Sequence, residues 1–169
     1  MANPNFTPER LKEFLHYDQN TGLFTWLSVL SNRTKVGDIA GTKHFNGTIG
    51  ISVFGHRCYA HRLAWFYVYG SWPKKFIDHI DGNASNNKLS NLREASQFEN
   101  MQNIPKISKI SKSGLTGAFW SSSKKMWNSG IMVNRKKINL GYFETAELAH
   151  NAYCKAKAKY HTFNPILRD

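Results

Sequence analysis

Cysteine is scarce in this chain of 169 residues, and its two cysteines, Cys58 and Cys154, do not form a C-x-x-C pair. Their wide separation argues against a zinc ribbon or a disulfide framework, and it fits a reduced, cytoplasmic setting. Long apolar runs are also missing, whereas a membrane helix needs about 20 apolar residues. We therefore expect neither a membrane span nor a secretory signal.

Acidic residues are few as well, since 11 Asp and Glu stand against 23 Lys and Arg and give a net charge of +12. The excess is uneven: residues 1–104 carry 11 basic and 8 acidic side chains, whereas residues 105–169 carry 12 and 3. This distribution favours a polyanionic partner for the C-terminal part. A basic surface that serves only solubility is the alternative.

Local signals in the first half predict a mixture of helices and antiparallel strands. Thr7, followed by Pro8 and Glu9, is typical of a helix start, and we expect a short helix to about Leu15. Apolar residues at helical spacing predict a second helix over 60–69. Turn residues and alternating hydrophobicity predict strands that pair as hairpins, at 23–26 and 49–53.

Residues 105–113 repeat Ile-Ser-Lys and contain no acidic residue, so they are predicted to form a linker. Its lysines Lys106, Lys109 and Lys112 suit two roles equally well. They belong either to a passive tether or to an extended segment that contacts phosphates.

Polar residues of chemical interest lie between residues 78 and 100. Ser96 and Glu99 form a capping box, which predicts a helix that begins at Gln97 and carries Asn100 in its first turn. Asn100 would then face the end of the strand that carries Asp78. Two oxygen donors, completed by water and phosphate, suit Mg²⁺ or Mn²⁺ better than Zn²⁺.

His79 follows Asp78 directly. A neutral imidazole can accept a proton from water, and phosphodiester hydrolysis needs a deprotonated water together with stabilised charge on the phosphorane. We therefore expect His79 to act as general base and the metal to stabilise the charge. The alternative is that Asp78 makes a turn and His79 packs in a core. For Asp81, within Asp-Gly, ordinary turn chemistry is favoured.

The order Asp78-His79, then Asn91-Leu92-Arg93, then Asn100 resembles the HNH (ββα-metal) endonucleases. Further likeness to phage-encoded homing enzymes extends the resemblance over residues 10–103. It implies that Asn91 fixes the loop and the orientation of His79, and that the products carry 5′-phosphate and 3′-hydroxyl ends. His61 and Arg62, at a strand-helix junction, fit either a hold on the scissile phosphate or the roles of a packed histidine and a solvated arginine.

After the linker, three short apolar segments and a helix capped by Thr145 are predicted to form a meander covered by one helix. The motifs Gly114–Trp120 and Leu140–Ala149 resemble the APETALA-type DNA-binding domain over residues 113–161. This family reads the major groove with its sheet. Strand alternation predicts the residues of the outer face, which are Phe119, Ser121, Gly130, Met132, Lys137 and Asn139.

Two of these outer residues, Lys137 and Asn139, are the better candidates for reading bases, because ammonium and amide groups bond base edges. Phosphate contacts are expected from four other basic residues, Lys124, Lys125, Arg135 and Lys136.

We therefore expect an α+β protein with three parts. A ββα-metal nuclease core with an N-terminal antiparallel sheet spans residues 1–104, a basic linker spans 105–113, and a three-stranded sheet with one helix spans 114–169. The predicted function is site-specific, homing-type cleavage of double-stranded DNA by a monomer or weak dimer. A catalytically silent DNA-binding regulator is the alternative, and the lack of clustered Cys and His disfavours a structural zinc module.

Overall fold

The computed structural model describes residues 6–28, 34–103, 113–161 and 163. It divides into two compact units, Met1–Gln97 and Phe98–Asp169. The boundary therefore lies inside a helix, whereas the sequence predicted a boundary after residue 104. Most of the predicted linker, including Lys106, Lys109 and Lys112, lies outside the described residues.

In its described residues, the first unit is built from short antiparallel sheets, two α-helices and one short 3-10 helix, Leu89–Asn91. Strand β1 pairs with β2, β4 pairs with both β3 and β5, and β6 pairs with β7. In chain order the elements are α1 (Pro8–Phe14), β1 (Leu15–Asp18), β2 (Leu23–Trp26), β3 (Thr42–Lys43), β4 (Ile49–Val53), β5 (His56–Tyr59), α2 (Ala60–Tyr69), β6 (Phe76–His79) and β7 (Leu92–Ala95). Helix α3 (Gln97–Asn103) follows β7 and continues into the second unit.

Both predicted helices of the first unit are confirmed. The residues at their ends explain where one begins and the other stops. The Thr7 hydroxyl accepts a hydrogen bond from the Arg10 amide at 3.2 Å, so it caps α1 as its sequence signal predicted. Gly70 ends α2 with a φ of 71°, a left-handed conformation that glycine adopts without a Cβ penalty.

One hydrophobic core holds the first unit together. Leu11, Leu15 and Leu63 are fully buried, and they pack with aromatic residues such as Phe24. Ile77 of β6 and Leu92 of β7 belong to the same core. The β6–β7 hairpin is therefore fixed to the body of the unit by apolar contacts at the point where Asp78 and His79 follow.

The second unit contains the predicted meander and its covering helix. The strands β8 (Ala118–Ser121), β9 (Met126–Val133) and β10 (Lys136–Phe143) form an antiparallel sheet in the order β10-β9-β8, and α4 (Ala146–Tyr160) packs on it. The Thr145 hydroxyl accepts from the Leu148 amide and caps α4. A register shift between Asn139 and Gly141 makes a bulge in β10.

The fold is thus α+β with small antiparallel sheets, and β6, β7 and α3 follow one another in the order strand, strand, helix. Among the described residues, no helix is both long and apolar enough to cross a bilayer.

Candidate active site

Asp78 and His79 end strand β6, where the strand is buried. Their exposed fractions are 5% and 8%, although both are polar. Buried polar groups need partners, because an unpaired one costs about 1–3 kcal/mol in desolvation. The partner of Asp78 lies on strand β7, and the partner of His79 lies in the loop between β6 and β7.

Asp78 is paired with Arg93, which lies directly opposite it in the β6–β7 register. The guanidinium donates to Asp78 Oδ2 from Nε at 2.9 Å and from Nη2 at 2.8 Å. Two donors on one oxygen hold the carboxylate in one orientation and offset its charge. Arg93 belongs to the Asn-Leu-Arg motif, but nothing in that motif by itself predicts the pairing.

His79 is bonded to Asn87, a residue of the loop between β6 and β7. The distance from His79 Nε2 to Asn87 Oδ1 is 3.0 Å, and Asn87 is 2% exposed. Asn87 Nδ2 donates to the Ser85 carbonyl at 3.4 Å, which directs Oδ1 toward the histidine. An amide oxygen only accepts, so the proton of a neutral His79 lies on Nε2 and its lone pair on Nδ1.

Asn91 ties the two ends of this loop together. Its Oδ1 accepts from the Asp81 amide at 2.9 Å, while its Nδ2 donates to Asp81 Oδ1 at 2.9 Å and to the Asn86 carbonyl at 2.8 Å. A backbone bond from Ile80 to the Asn91 carbonyl closes the loop at its base. Asn91 is therefore placed to fix the loop, which is the position that its predicted role requires.

The Asp81 carboxylate accepts several hydrogen bonds within the loop. It accepts from the Asn83 amide at 2.8 Å and from Asn86 Nδ2 at 2.7 Å, in addition to Asn91. Partial burial tends to raise the pKa of Asp81, but these hydrogen bonds outweigh it and lower the pKa below the usual value. The turn chemistry favoured by the sequence is the geometry observed here.

His61 lies beside His79, at the start of α2. Its ring stacks on Tyr59 with an interplanar angle of 8° and meets the His79 ring edge-on, with centroids 5.0 Å apart. Burial, followed by the proximity of His79 and Arg62, lowers the pKa of His61 to about 3. The ring is therefore neutral at neutral pH, which favours the packed role over electrostatic attraction of a phosphate. Arg62 is partly exposed in the same turn.

Asn100 lies in α3, beyond the boundary between the two units. The helix begins at Gln97 as predicted, and the convergence of Asn100 on Asp78 stays a prediction. In the part of the chain that the structure describes, no group of three or more His, Cys, Asp and Glu side chains could hold a metal ion. The predicted donor set is different in kind, since it consists of one carboxylate and one amide.

The outer face of the second unit's sheet carries the residues that alternation predicted. Phe119 is 56% and Met132 57% exposed, Lys137 and Asn139 are also exposed, and Ile131 on the opposite face is buried. Ser121 and Gly130 are half-buried. The residues predicted to contact phosphates lie in or next to the two turns of the meander, and all of them are exposed. They are Lys124, Lys125, Arg135 and Lys136.

Two of these predicted DNA contacts have partners within the unit. The Arg135 guanidinium lies 4.6 Å from the ring centroid of Phe98, which connects the β9–β10 turn to α3. Asn139 Oδ1 accepts from Asn128 Nδ2 at 2.8 Å and from the Gly141 amide at 3.2 Å. The oxygen of Asn139 is thus engaged, and its NH₂ is the group that it can offer to a base.

The segment that carries Asp78 and His79 was compared with known proteins. Residues 58–102 match the family model described as HNH endonuclease, a segment that contains Asp78, His79, Asn91 and Asn100. Over 80 residues the chain is 41% identical to "Protein 3.8" of Escherichia phage T7. The aligned segment covers 47% of this chain and 65% of that protein. The match thus spans slightly less than two thirds of that protein. No solved structure matches the chain. These findings show that residues 58–102 are similar to HNH endonucleases, and they support an HNH-type nuclease.

Proposed function

We propose that the chain is a metal-dependent endonuclease that hydrolyses phosphodiester bonds of double-stranded DNA. The observation that carries the proposal is the pair Asp78-His79 at the buried end of β6, each held by a dedicated partner, Arg93 and Asn87. Catalytic groups held in one orientation lower the barrier because little reorganisation remains to be done. A buried pair that served only packing would also need hydrogen-bond partners, and the match of residues 58–102 to the HNH endonuclease model favours catalysis over that alternative.

His79 acts as the general base. With its proton on Nε2, the Nδ1 lone pair takes a proton from the attacking water, and the resulting imidazolium donates a stronger, charge-assisted bond to Asn87 Oδ1. Asn91 keeps the loop that carries Asn87 closed. The neutral His61 ring packs against His79 and limits its rotation.

Asp78 and Asn100 would hold Mg²⁺ or Mn²⁺, since both present oxygen and neither site residue is the thiolate or imidazole that Zn²⁺ prefers. When bound, such an ion stabilises the charge on the phosphorane and on the leaving oxygen. Arg93 keeps the Asp78 carboxylate in one orientation. Products with 5′-phosphate and 3′-hydroxyl ends follow from the HNH resemblance.

The second unit is proposed to supply DNA recognition. Its exposed sheet face combines apolar groups, Phe119 and Met132, with Lys137 and Asn139, and basic turns flank it. Such a surface suits a duplex groove with phosphates on either side. A nuclease joined to a separate reading module suits cleavage at a long, site-specific target, as in homing enzymes, in the cytoplasm of a phage-infected host. One such site cuts one strand at a time, so a monomer nicks and a weak dimer cuts both strands.

Supercoiled plasmid, incubated with and without Mg²⁺ or Mn²⁺, tests the proposal. The full chain should convert it to nicked or linear forms only with metal, and His79→Ala should abolish conversion while DNA affinity changes little. His16→Ala, an exposed histidine of the same unit, is the matched control and should cut normally. Normal cutting by His79→Ala would exclude its role as base. Binding without cleavage by the wild-type chain would instead support a DNA-binding regulator.

Asp78→Ala and Asn100→Ala test the metal site separately. Both should weaken cleavage and shift the metal concentration needed for half-maximal activity upward. Asp78→Ala should have the larger effect, because Asp78 supplies the full negative charge of the pair. An unchanged metal dependence in both variants would exclude this donor pair.

A further inference from the structure

The turn between β1 and β2 is in direct contact with the loop that holds His79. The Tyr17 hydroxyl donates to the Asn87 carbonyl at 2.6 Å, and the Leu89 amide donates to the Gln19 carbonyl at 3.2 Å. Both bonds connect residues about 70 positions apart in sequence, so this contact is a product of the tertiary fold.

Gly22 shows how close the approach is. A Cβ built on Gly22 would lie 2.5 Å from the Asn87 carbonyl carbon and would overlap the Lys88 amide nitrogen. Real Cβ atoms do not approach backbone this closely, and Gly22 also has a φ of +77°. The turn therefore packs backbone to backbone on residues 87 and 88.

Tyr17 is itself held rigidly. It is 4% exposed, and its ring stacks on Phe24 with centroids 4.7 Å apart. Burial, followed by the nearby Asp18 charge, raises the pKa of Tyr17 well above its usual value, so its hydroxyl remains a donor. A fixed donor on the Asn87 carbonyl fixes the backbone from which the Asn87 side chain reaches His79.

We propose that Asn87 is a positioning residue for His79, and that the β1–β2 turn, through Tyr17 and Gly22, sets the position of Asn87. This inference rests on the proposed role of His79 as general base. Residues 17–22 lie outside the segment that matches the HNH family model, which begins at residue 58. In this proposal the β1–β2 hairpin contributes to the position of the catalytic histidine, although it lies outside the matched segment.

Three substitutions with matched controls test this series of interactions. Asn87→Ala removes the acceptor, and Asn87→Asp retains one. Tyr17→Phe removes the hydroxyl, with Tyr69→Phe, an exposed tyrosine on α2, as its control. Gly22→Ala adds the clash and the backbone strain, whereas Gly55→Ala, at a φ of +75° with nothing within 4 Å of the added Cβ, adds only the strain.

Plasmid cleavage should show a fall in kcat with little change in KM for Asn87→Ala, Tyr17→Phe and Gly22→Ala, since the groups that bind DNA are untouched. Misplacement by about 1 Å can cost about 100-fold, and we expect a fall of about 10-fold or more for Asn87→Ala. Asn87→Asp should restore most of kcat. Tyr69→Phe and Gly55→Ala should cut at the wild-type rate.

Nitrogen-15 NMR of His79 at about pH 8 separates positioning from simple unfolding, because a neutral imidazole reports which nitrogen carries the proton. The wild-type chain should show a proton on Nε2, Asn87→Ala should show a mixture of both tautomers, and Asn87→Asp should return to the Nε2 form. Tyr17→Phe should broaden or shift the His79 signals more than Tyr69→Phe does. This arm needs no cleavage, so it distinguishes a failure of the positioning role from a failure of the nuclease assignment.

An unchanged tautomer and kcat in Asn87→Ala would overturn the role of Asn87. If Tyr17→Phe matched Tyr69→Phe, and Gly22→Ala matched Gly55→Ala, in both kcat and the His79 spectrum, the role of the hairpin would be overturned.

Discussion

Arg93 and Asp78 face each other across the β6–β7 hairpin. The guanidinium donates from Nε and from Nη2 to the same carboxylate oxygen, Oδ2. The carboxylate is 5% exposed, whereas the Arg93 side chain is 25% exposed. The cation is therefore the partner that solvent can reach, and the anion depends on it.

Replacing Arg93 should destabilise the first unit. Breaking a buried ion pair from one side typically costs about 3–5 kcal/mol, and the partial exposure of Arg93 places the cost of Arg93→Gln at the lower end of that range. Thermal unfolding measures the destabilisation. Mg²⁺ or Mn²⁺ should raise the Tm of Arg93→Gln more than that of the wild type, because a bound cation replaces the missing charge. Lys88→Gln, at an exposed lysine, is the control, and equal metal effects in all three proteins would contradict a cation site at Asp78.

The half-buried His61 should make the fold sensitive to mild acid. In the unfolded chain a histidine takes up a proton near pH 6.5, whereas the pKa of His61 in the folded chain is about 3. Between these values the unfolded state binds the extra proton, so stability falls as pH falls, by about 1.4 kcal/mol per pH unit. Urea unfolding from pH 7 to pH 5 should show a shallower slope for His61→Phe than for the wild type. His16→Gln should keep the wild-type slope, and a His61→Phe slope equal to it would contradict the neutral state of His61.

Removal of residues 105–169 should leave weak cleavage at low salt with little site preference. These residues carry 12 basic and 3 acidic side chains, so most counterion release on binding should come from them. The slope of log K against log salt should flatten by about 0.9 for each DNA phosphate that the truncated chain no longer neutralises. Filter binding at several salt concentrations gives the slope. A truncated chain that kept both the slope and the cleavage pattern would contradict the division of labour between the units.

Asn139 should read a base as a donor only. Its Oδ1 is bonded to Asn128 and Gly141, so it lacks the acceptor needed for bidentate pairing with adenine, and its NH₂ suits the acceptors of guanine or thymine. Asn139→Asp keeps the internal bonds but replaces the donor, and it should cost about 1–3 kcal/mol at one base pair. Selection from a randomised site library measures the change. Asn134→Asp, in an exposed turn, controls for the added charge, and an Asn139→Asp variant that selected the same sites as Asn134→Asp would contradict this reading.

Local signals predicted much of the fold. The caps at Thr7 and Thr145 and the apolar spacing over residues 60–69 placed the starts of α1, α2 and α4 to within about a residue, because each signal depends on neighbours a few positions away. The spacing of its small and apolar residues predicts one buried face for α4, formed by Ala146, Ala149, Ala152, Tyr153, Ala156 and Tyr160, and this prediction is only partly right. Tyr160 is 38% exposed, whereas Lys157 is buried, and a lysine stem can cover apolar surface that its charge does not suit.

The partners in the candidate site could not be predicted in this way. Asp78 and His79 were found because the two residues are adjacent in sequence and chemically distinctive. Arg93 and Asn87 hold them through the register of a hairpin and the closure of a loop, and several registers fit the same sequence. Gly22 carried only a turn signal, although its lack of a side chain is required by the backbone of Asn87, far along the chain.

The bulge in β10 changes which residues of that strand face outward. Before it, Lys137 and Asn139 face outward; after it Tyr142, at 43% exposure, lies outward beside Asn128, and Phe143 turns into the core with Trp127. Uninterrupted alternation would have exchanged the last two residues and put a hydroxyl among apolar side chains. Leu140 is the extra residue of this bulge, since Asn139 pairs with Gly130 and Gly141 pairs with the next residue of β9, Ser129. Losing the bulge while keeping the residue would exchange the faces of Tyr142 and Phe143, whereas deleting Leu140 would keep them. Related chains are therefore expected either to keep the bulge or to be one residue shorter at this point.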